Sequence, residues 1–179
     1  MAELEIHHHE GGHGEDPMGK KVGILAAVFA VLLAITTILS HRAHTESVIK
    51  KSTENDTWAL YQAKKIKLHN FEIAHDEISL VTPQTEASKK MLENYSVGIE
   101  KYDKESEENK KEANNLKSEV SHIESFAFFY DLGEGLLEIA LVMSSLYFIA
   151  KSKLFPTIGV LAGITGLAFA AYGLLLQLK

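Results

Sequence analysis

The chain has 179 residues, no cysteine, 23% charged residues and a formal net charge of −6 at pH 7. The lack of cysteine excludes disulfides, thiol catalysis and thiolate metal ligands. Between residues 42 and 124, 13 Lys and Arg stand against 16 Asp and Glu. This near balance argues against a nucleic-acid surface, which needs clustered basic charge, so we expect no nucleic-acid partner.

Residues 1–19 are acidic, contain glycine and lack hydrophobic periodicity, which predicts a flexible, His-rich tail. Imidazoles beside carboxylates can bind zinc, nickel or copper. The candidate metal ligands are His7, His9 and His13. The simpler interpretation is a solvated tail with only adventitious affinity, so we expect no cofactor and keep a divalent metal here as the alternative.

Residues 20–40 are predicted to form the first transmembrane helix. They include 18 consecutive uncharged residues, 22–39, which suffice to cross a bilayer. A signal peptide is the competing interpretation, but no small-x-small cleavage site precedes the polar sequence that follows. Small side chains recur every four residues at Ala26, Ala30 and Ala34, a stripe that permits close approach of another helix.

Residues 41–125 are predicted to form an extramembrane helical hairpin. Residues 41–80 contain neither proline nor glycine, and Pro83 disfavours helix at the residue before it. In the second arm, positions from Tyr95 to Ile123 alternate by four and three and are mostly apolar. Two arms of similar length with a turn near 81–85 indicate an antiparallel coiled coil about 60 Å long.

Residues 126–150 are predicted to form the second transmembrane helix, about 37 Å long. This apolar segment nevertheless carries Asp131, Glu134 and Glu138, whose spacing places them on one helical face together with Ser145. An ionised carboxylate near the bilayer centre costs about 2.5–3.5 kcal/mol. We therefore expect this polar face to meet protein or water rather than lipid.

Residues 154–178 are a third apolar segment without charge, predicted to be the last transmembrane helix. Its glycines Gly159, Gly163 and Gly166 match the small-residue pattern of closely packed membrane helices. The architecture that follows is an all-α membrane protein with three transmembrane helices. A long antiparallel coiled-coil hairpin lies between the first and second. Lysines 151 and 153 in the short loop favour a cytoplasmic N-terminus.

Three stretches, DPMGKKVGILAAVFAVLLAITTILSHRAHTE, NDTWALYQAKKIK and FYDLGEGLLEIALVMSSLYFI, resemble the DUF4337 family of small bacterial membrane proteins of undefined function. The resemblance extends over nearly the whole chain from Asp16. It implies one span, a helical insertion and a closing pair of spans, in a multi-pass protein of the bacterial inner (cytoplasmic) membrane. It implies no activity, and no catalytic residue can be carried over.

Two functions fit these patterns. The first is a membrane scaffold or assembly protein that forms a homo-oligomer or serves as accessory subunit of a larger complex. The alternative is an oligomer that conducts protons or cations along the acidic face of the second transmembrane helix. The sequence shows no HExxH spacing and no nucleophile–base arrangement, so we expect that the protein is not an enzyme.

Overall fold

The computed structural model describes residues 16–83 and 85–179 as three α-helices. Helix α1 spans Pro17–Val81, α2 spans Glu86–Ala150 and α3 spans Leu154–Gln177. For the described residues, the prediction of an all-α fold is confirmed. With 65 residues each, α1 and α2 are about 97 Å long, so each continues unbroken from its apolar segment into one arm of the hairpin.

The helix ends follow from the local sequence. The Asp16 side chain accepts a 2.8 Å hydrogen bond from the Gly19 amide, and Pro17 occupies the first position of α1, where no amide hydrogen is needed. Thr85 and Ser88 form a reciprocal capping box at the start of α2. Helix α2 ends at Ala150, and its C-cap Lys151, with a φ of 51°, turns the chain into the short connection to α3.

The hairpin arms pack along a continuous side-chain seam. Every predicted seam position from Tyr95 to Ile123 is buried or half-buried, as the alternation of four and three residues requires. Leu68 is only 3% exposed, and the Phe71 ring lies edge-on to Tyr95 with 5.7 Å between centroids. Buried apolar side chains therefore hold the arms together along their length.

Ion pairs border the hairpin seam on its solvent side. Lys64 pairs with Glu105, and Lys50 lies 2.5 Å from a carboxylate oxygen of Glu119. The hydrogen bond from Lys64 lowers the pKa of Glu105, and the one to Glu119 raises the pKa of Lys50. Because these groups are solvated, they contribute more to the register of the two arms than to stability.

At the opposite end the chain forms a three-helix bundle from residues 17–43, 126–150 and 154–177. Helix α3 runs antiparallel to α2 and packs mainly against it, with few contacts to α1. Tyr130 and Leu137 are fully buried in the bundle. The Tyr130 hydroxyl donates a 2.7 Å hydrogen bond to the Gln177 side chain, which satisfies the one polar atom of this buried ring.

The described part of the chain holds three helices that are long and apolar enough to cross a membrane, judged by length and composition. In α1 and α2 the apolar stretch is one end of a helix whose other end is a charged hairpin arm. Large aliphatic side chains on the outside of the bundle are exposed, including Val31 at 61%, Ile149 at 84% and Leu161 at 64%.

Candidate functional site: the polar seam between α1 and α2

Asp131 joins α2 to α1 at the boundary between the bundle and the hairpin. One carboxylate oxygen accepts a 2.7 Å hydrogen bond from the Ser40 hydroxyl. The His44 Nε2 atom, one turn further along α1, lies 3.0 Å from both oxygens of the same carboxylate. Ser40 is buried, whereas His44 and Asp131 remain partly exposed, so water reaches this end of the seam.

Glu134 makes the next contact along the same seam, deeper in the bundle. Its carboxylate accepts a 2.8 Å hydrogen bond from the Thr37 hydroxyl, and both side chains are half-buried. The two contacts lie one helical turn apart on both helices. Asp131 and Glu134 therefore act as paired acceptors for hydroxyl donors on α1, which ties the two helices at a fixed register.

Glu138 and Ser145 lie on the same side of α2, but neither forms a hydrogen bond or ion pair with α1 in the described part of the chain. Both are exposed, and Glu138 has no hydrogen-bond or ion-pair partner within residues 16–83 and 85–179. The Ser145 hydroxyl donates back to the Val142 carbonyl of its own helix at 2.7 Å. The predicted polar face is thus divided into two residues bound to α1 and two that face outward.

The predicted glycines of α3 all lie in helix contacts. A Cβ added at Gly159 would lie 2.8 Å from the Ser144 hydroxyl, and one added at Gly166 would lie 2.9 Å from the Gly133 carbonyl oxygen. Gly163 lies beneath the ring of Phe29 on α1. Because none of these positions has room for a side chain, α3 approaches α2 at backbone distance and receives the Phe29 ring of α1 at Gly163.

The alanine stripe of α1 lies mostly on the exposed side of the helix. Ala26 is half-buried, while Ala30 and Ala34 are exposed and belong to neither buried cluster of the bundle. The residues of α1 that enter the bundle interior are larger or polar, such as Phe29 and Thr36. A role of the stripe in helix packing therefore stays a prediction that concerns contacts outside a single chain.

A second polar cluster closes the far end of the bundle. Besides capping α1, Asp16 accepts hydrogen bonds from the Tyr147 hydroxyl at 3.1 Å and from Lys151 Nζ at 3.1 Å. The Gly19 amide and Lys151 lower the pKa of this carboxyl. Asp16 thus joins the start of α1 to the end of α2, a contact that sequence inspection missed.

Neither cluster has the composition of a metal centre. Within the described residues, no group of three or more His, Asp or Glu side chains is placed to hold a metal ion. The carboxylates of the seam are instead satisfied by hydroxyl and imidazole groups. The candidate metal ligands His7, His9 and His13 lie outside the described residues.

The partners of Asp131 and Glu134 were not predicted, although a signal for them exists. In an antiparallel hairpin, residues equally distant from the turn lie opposite each other. Thr37 and Ser40 are about as far from the turn as Glu134 and Asp131, respectively. Counting outward from Pro83 therefore pairs each acid with a hydroxyl residue, within a few positions.

Comparison with known proteins identifies a family and no characterised relative. Residues 18–176, nearly the whole chain, match the family model described as a domain of unknown function, DUF4337. No curated protein and no solved structure matches the chain significantly. The matched region includes all three helices and both members of each seam contact. The chain therefore belongs to the DUF4337 family.

Proposed function

We propose that this protein is an integral membrane scaffold or assembly protein, multi-pass in the bacterial inner membrane with a cytoplasmic N-terminus. Three apolar helical segments would span the bilayer, and the hairpin would project from it. The protein would self-associate or serve as accessory subunit of a larger membrane complex. We further propose that it has no enzymatic activity of its own.

The distribution of exposed side chains supports the membrane location. The bundle carries large aliphatic side chains on its outside, whereas the hairpin carries charged residues on most of its surface. A bilayer accommodates the first surface and water the second. The polar residues His41 and Arg42 follow the first apolar segment directly, where headgroups would contact them.

The main support for a scaffold function is that the acids Asp131 and Glu134 join α2 to α1 by hydrogen bonds. Asp131 and Glu134 accept hydrogen bonds from α1 hydroxyls instead of facing an open path. Their role in this arrangement is to join two helices in surroundings where the hydrophobic effect does not drive association. A rigid bundle bearing a long hairpin suits the display of an interaction surface away from the membrane.

The experiment that tests this proposal is purification from native membranes without an affinity tag. Washing with alkaline carbonate, which strips peripheral proteins, should leave the chain in the membrane fraction. Extraction in mild detergent should then give a particle heavier than one chain, made of identical copies or of this chain with defined partners. A chain released by carbonate, or a monodisperse monomer without partners, would contradict the proposal.

A second function, proton or cation conduction by an oligomer, rests on Glu138. This carboxyl lies in an apolar segment, is exposed and has no partner in the described part of the chain. Several copies could surround a path lined by Glu138 and Ser145. Purified protein in liposomes distinguishes the two functions. Glu138→Gln should leave assembly unchanged in both cases, but should abolish ion or proton flux only if the protein conducts.

A further inference from the structure

A second heptad stripe runs along the outside of α1, away from its contact with α2. Starting at Ile24 and alternating by four and three residues, it reaches Leu80 through seventeen positions, all of them exposed. Eleven of these positions are apolar. This spacing keeps a stripe on one side of a long helix and is the pattern by which helices pair in coiled coils. We call this surface the outer stripe.

Lipid accounts for only the first part of the outer stripe. In the apolar segment of α1 the stripe consists of Ile24, Val28, Val31, Ile35 and Ile38. The hairpin part lies beyond an interruption of mixed composition between residues 42 and 56. Its apolar members are Ala59, Ala63, Ile66, Ile73 and Leu80, and the three largest are 57–84% exposed. In a membrane-inserted chain, lipid tails would not reach this part, so lipid does not account for its exposed apolar side chains.

The second arm of the hairpin provides the internal comparison. Between residues 86 and 125 of α2, the large exposed apolar side chains are Met91 and Val97, which are six residues apart and form no heptad stripe. Both arms belong to the same hairpin and meet the same solvent. Scattered exposed apolar residues are normal, but a periodic stripe on one arm only indicates an interface.

We propose that the outer stripe of α1 packs against the outer stripe of a second copy of this chain, with the two α1 helices parallel. This inference rests on the proposed membrane function, since two copies inserted in one membrane with one orientation have parallel α1 helices. A two-fold axis along the membrane normal then places every residue beside its own counterpart. One stripe is sufficient for such a contact, because it is complementary to itself.

The two polar residues of the hairpin part of the stripe, Asn70 and Glu77, fit this arrangement. Asn70 lies between Ile66 and Ile73, and an isolated asparagine at an inner heptad position pairs with its counterpart and fixes the register of two helices. Glu77 lies close to the end of α1 at Val81, where water reaches both copies. The residues beside the stripe would meet across the dimer as the pairs Gln62–Lys67, His69–Ala74 and Asp76–Val81. None of these pairs brings like charges together.

Cysteine cross-linking tests the contact directly, since the chain has no cysteine of its own. Ile66→Cys and Ile73→Cys each place one thiol in the outer stripe. Lys104→Cys and Ser96→Cys place one at exposed positions of α2 at about the same two levels of the hairpin, as the ion pair Lys65–Asp103 and the contact of Phe71 with Gly98 show. All four variants would be oxidised mildly in native membranes.

The expected result is a disulfide-linked product of twice the chain mass for the two isoleucine positions, and at most a trace for the two controls. Monomer in all four variants would overturn the proposal. Equal cross-linking in all four would do so as well, because it would reflect random collision. A cross-link from residues 66 and 73 to a different protein would assign the stripe to that partner instead.

A second measurement uses charge at the same positions. The double substitution Ile66→Asp with Ile73→Asp should halve the protein mass of the particle in mild detergent. Ser96→Asp with Lys104→Asp should leave that mass unchanged. All four side chains are exposed in the single chain, so helicity by circular dichroism should be the same in both variants. An unchanged particle mass in the isoleucine variant would count against the pairing. Retention of the wild-type chain after alkaline carbonate tests the membrane function separately.

Discussion

The same two helices meet in two chemically different ways along their length. In the hairpin, α1 and α2 contact each other through long side chains, with Leu68 and Phe71 inside and the pair Lys64–Glu105 at the margin. In the bundle, hydrogen bonds between short side chains, such as Thr37 with Glu134, accompany apolar packing such as that of Phe29 against Leu137. Helix α3 then joins α2 through glycine.

The difference follows from what drives association in each region. In water, burial of apolar area stabilises the hairpin, so bulky side chains at the seam are favourable. Between helices surrounded by lipid, as proposed for the bundle, that driving force is weak. Close backbone approach and interhelical hydrogen bonds replace it. If this comparison is correct, truncation should damage the hairpin most, whereas enlargement should damage the bundle most.

The largest expected effect is truncation in the hairpin seam. Leu68→Ala removes a side chain that is 3% exposed and should lower the free energy of unfolding of the hairpin by about 2–5 kcal/mol. Val97→Ala, at a residue that is 63% exposed, is the control and should have almost no effect. Amide hydrogen exchange in detergent measures the stability of the hairpin in both variants. Equal protection in the two variants would refute a seam held by apolar burial.

The opposite substitution should affect the bundle. Gly166→Ala places a methyl group 2.9 Å from the Gly133 carbonyl oxygen and 3.0 Å from Leu136 Cβ, so α2 and α3 must separate. Overpacking of this kind costs about 1–3 kcal/mol. Gly135→Ala is the matched control, because nothing lies within 4 Å of its added methyl group. The thermal unfolding midpoint in detergent should be clearly lower for Gly166→Ala than for Gly135→Ala. Equal midpoints would contradict a close-packed α2–α3 contact.

Sequence reasoning identified the elements more easily than their contacts. Length, apolar runs and the break at Pro83 are local properties, and they were sufficient to predict an all-α fold with three apolar segments and a hairpin between the first and second. The seam from Tyr95 to Ile123 was also readable, because its period is a property of one helix. The orientation of one helix about another was not readable in the same way, because apolar residues occupy most of the surface of each bundle helix.

The candidate site shows the same limit of prediction from sequence. The shared face of the acids was predicted from spacing alone, but spacing could not tell that Glu134 would meet a hydroxyl while Glu138 would face outward. That distinction depends on where α1 crosses α2. The alanine stripe was noticed for its period, yet Phe29 fills the contact between α1 and α3 because Gly163 provides the space opposite.

A smaller effect is expected from the polar seam. Thr37→Val keeps the shape of the side chain but removes the donor to Glu134, which should cost about 0.6 kcal/mol, the average for hydrogen bonds between membrane helices. Thr165→Val is the control, since the Thr165 hydroxyl donates only to the Leu161 carbonyl of its own helix. Unfolding in mixed detergent micelles measures the difference. Equal stability of the two variants would assign Glu134 no role in joining α1 to α2.

The smallest expected effect is a pH dependence confined to the hairpin. Glu54 is buried in the seam and accepts hydrogen bonds from Lys51 at 2.7 Å and from the Trp58 ring nitrogen at 3.3 Å. The Lys51 contact lowers the pKa of Glu54 below its ordinary value of 4.5. A lowered carboxyl pKa stabilises the fold above the ordinary value, and this contribution is lost as the pH falls through the lowered one.

Hairpin stability should therefore stay level from pH 7 to about 5 and decline below the ordinary carboxyl range. Glu54→Gln should be less stable at neutral pH and should show a shallower decline in acid, because its side chain cannot take up a proton. Glu93→Gln, at an exposed residue without an ion pair in the described part of the chain, should keep the wild-type profile. Hydrogen exchange of the hairpin at several pH values, corrected for the intrinsic rate, measures the pH profile of the wild type and of both variants. Parallel profiles for both variants would mean that the seam tolerates a neutral Glu54, and that the spacing of residues along α1, not charge, positions Lys51 and Trp58 beside it.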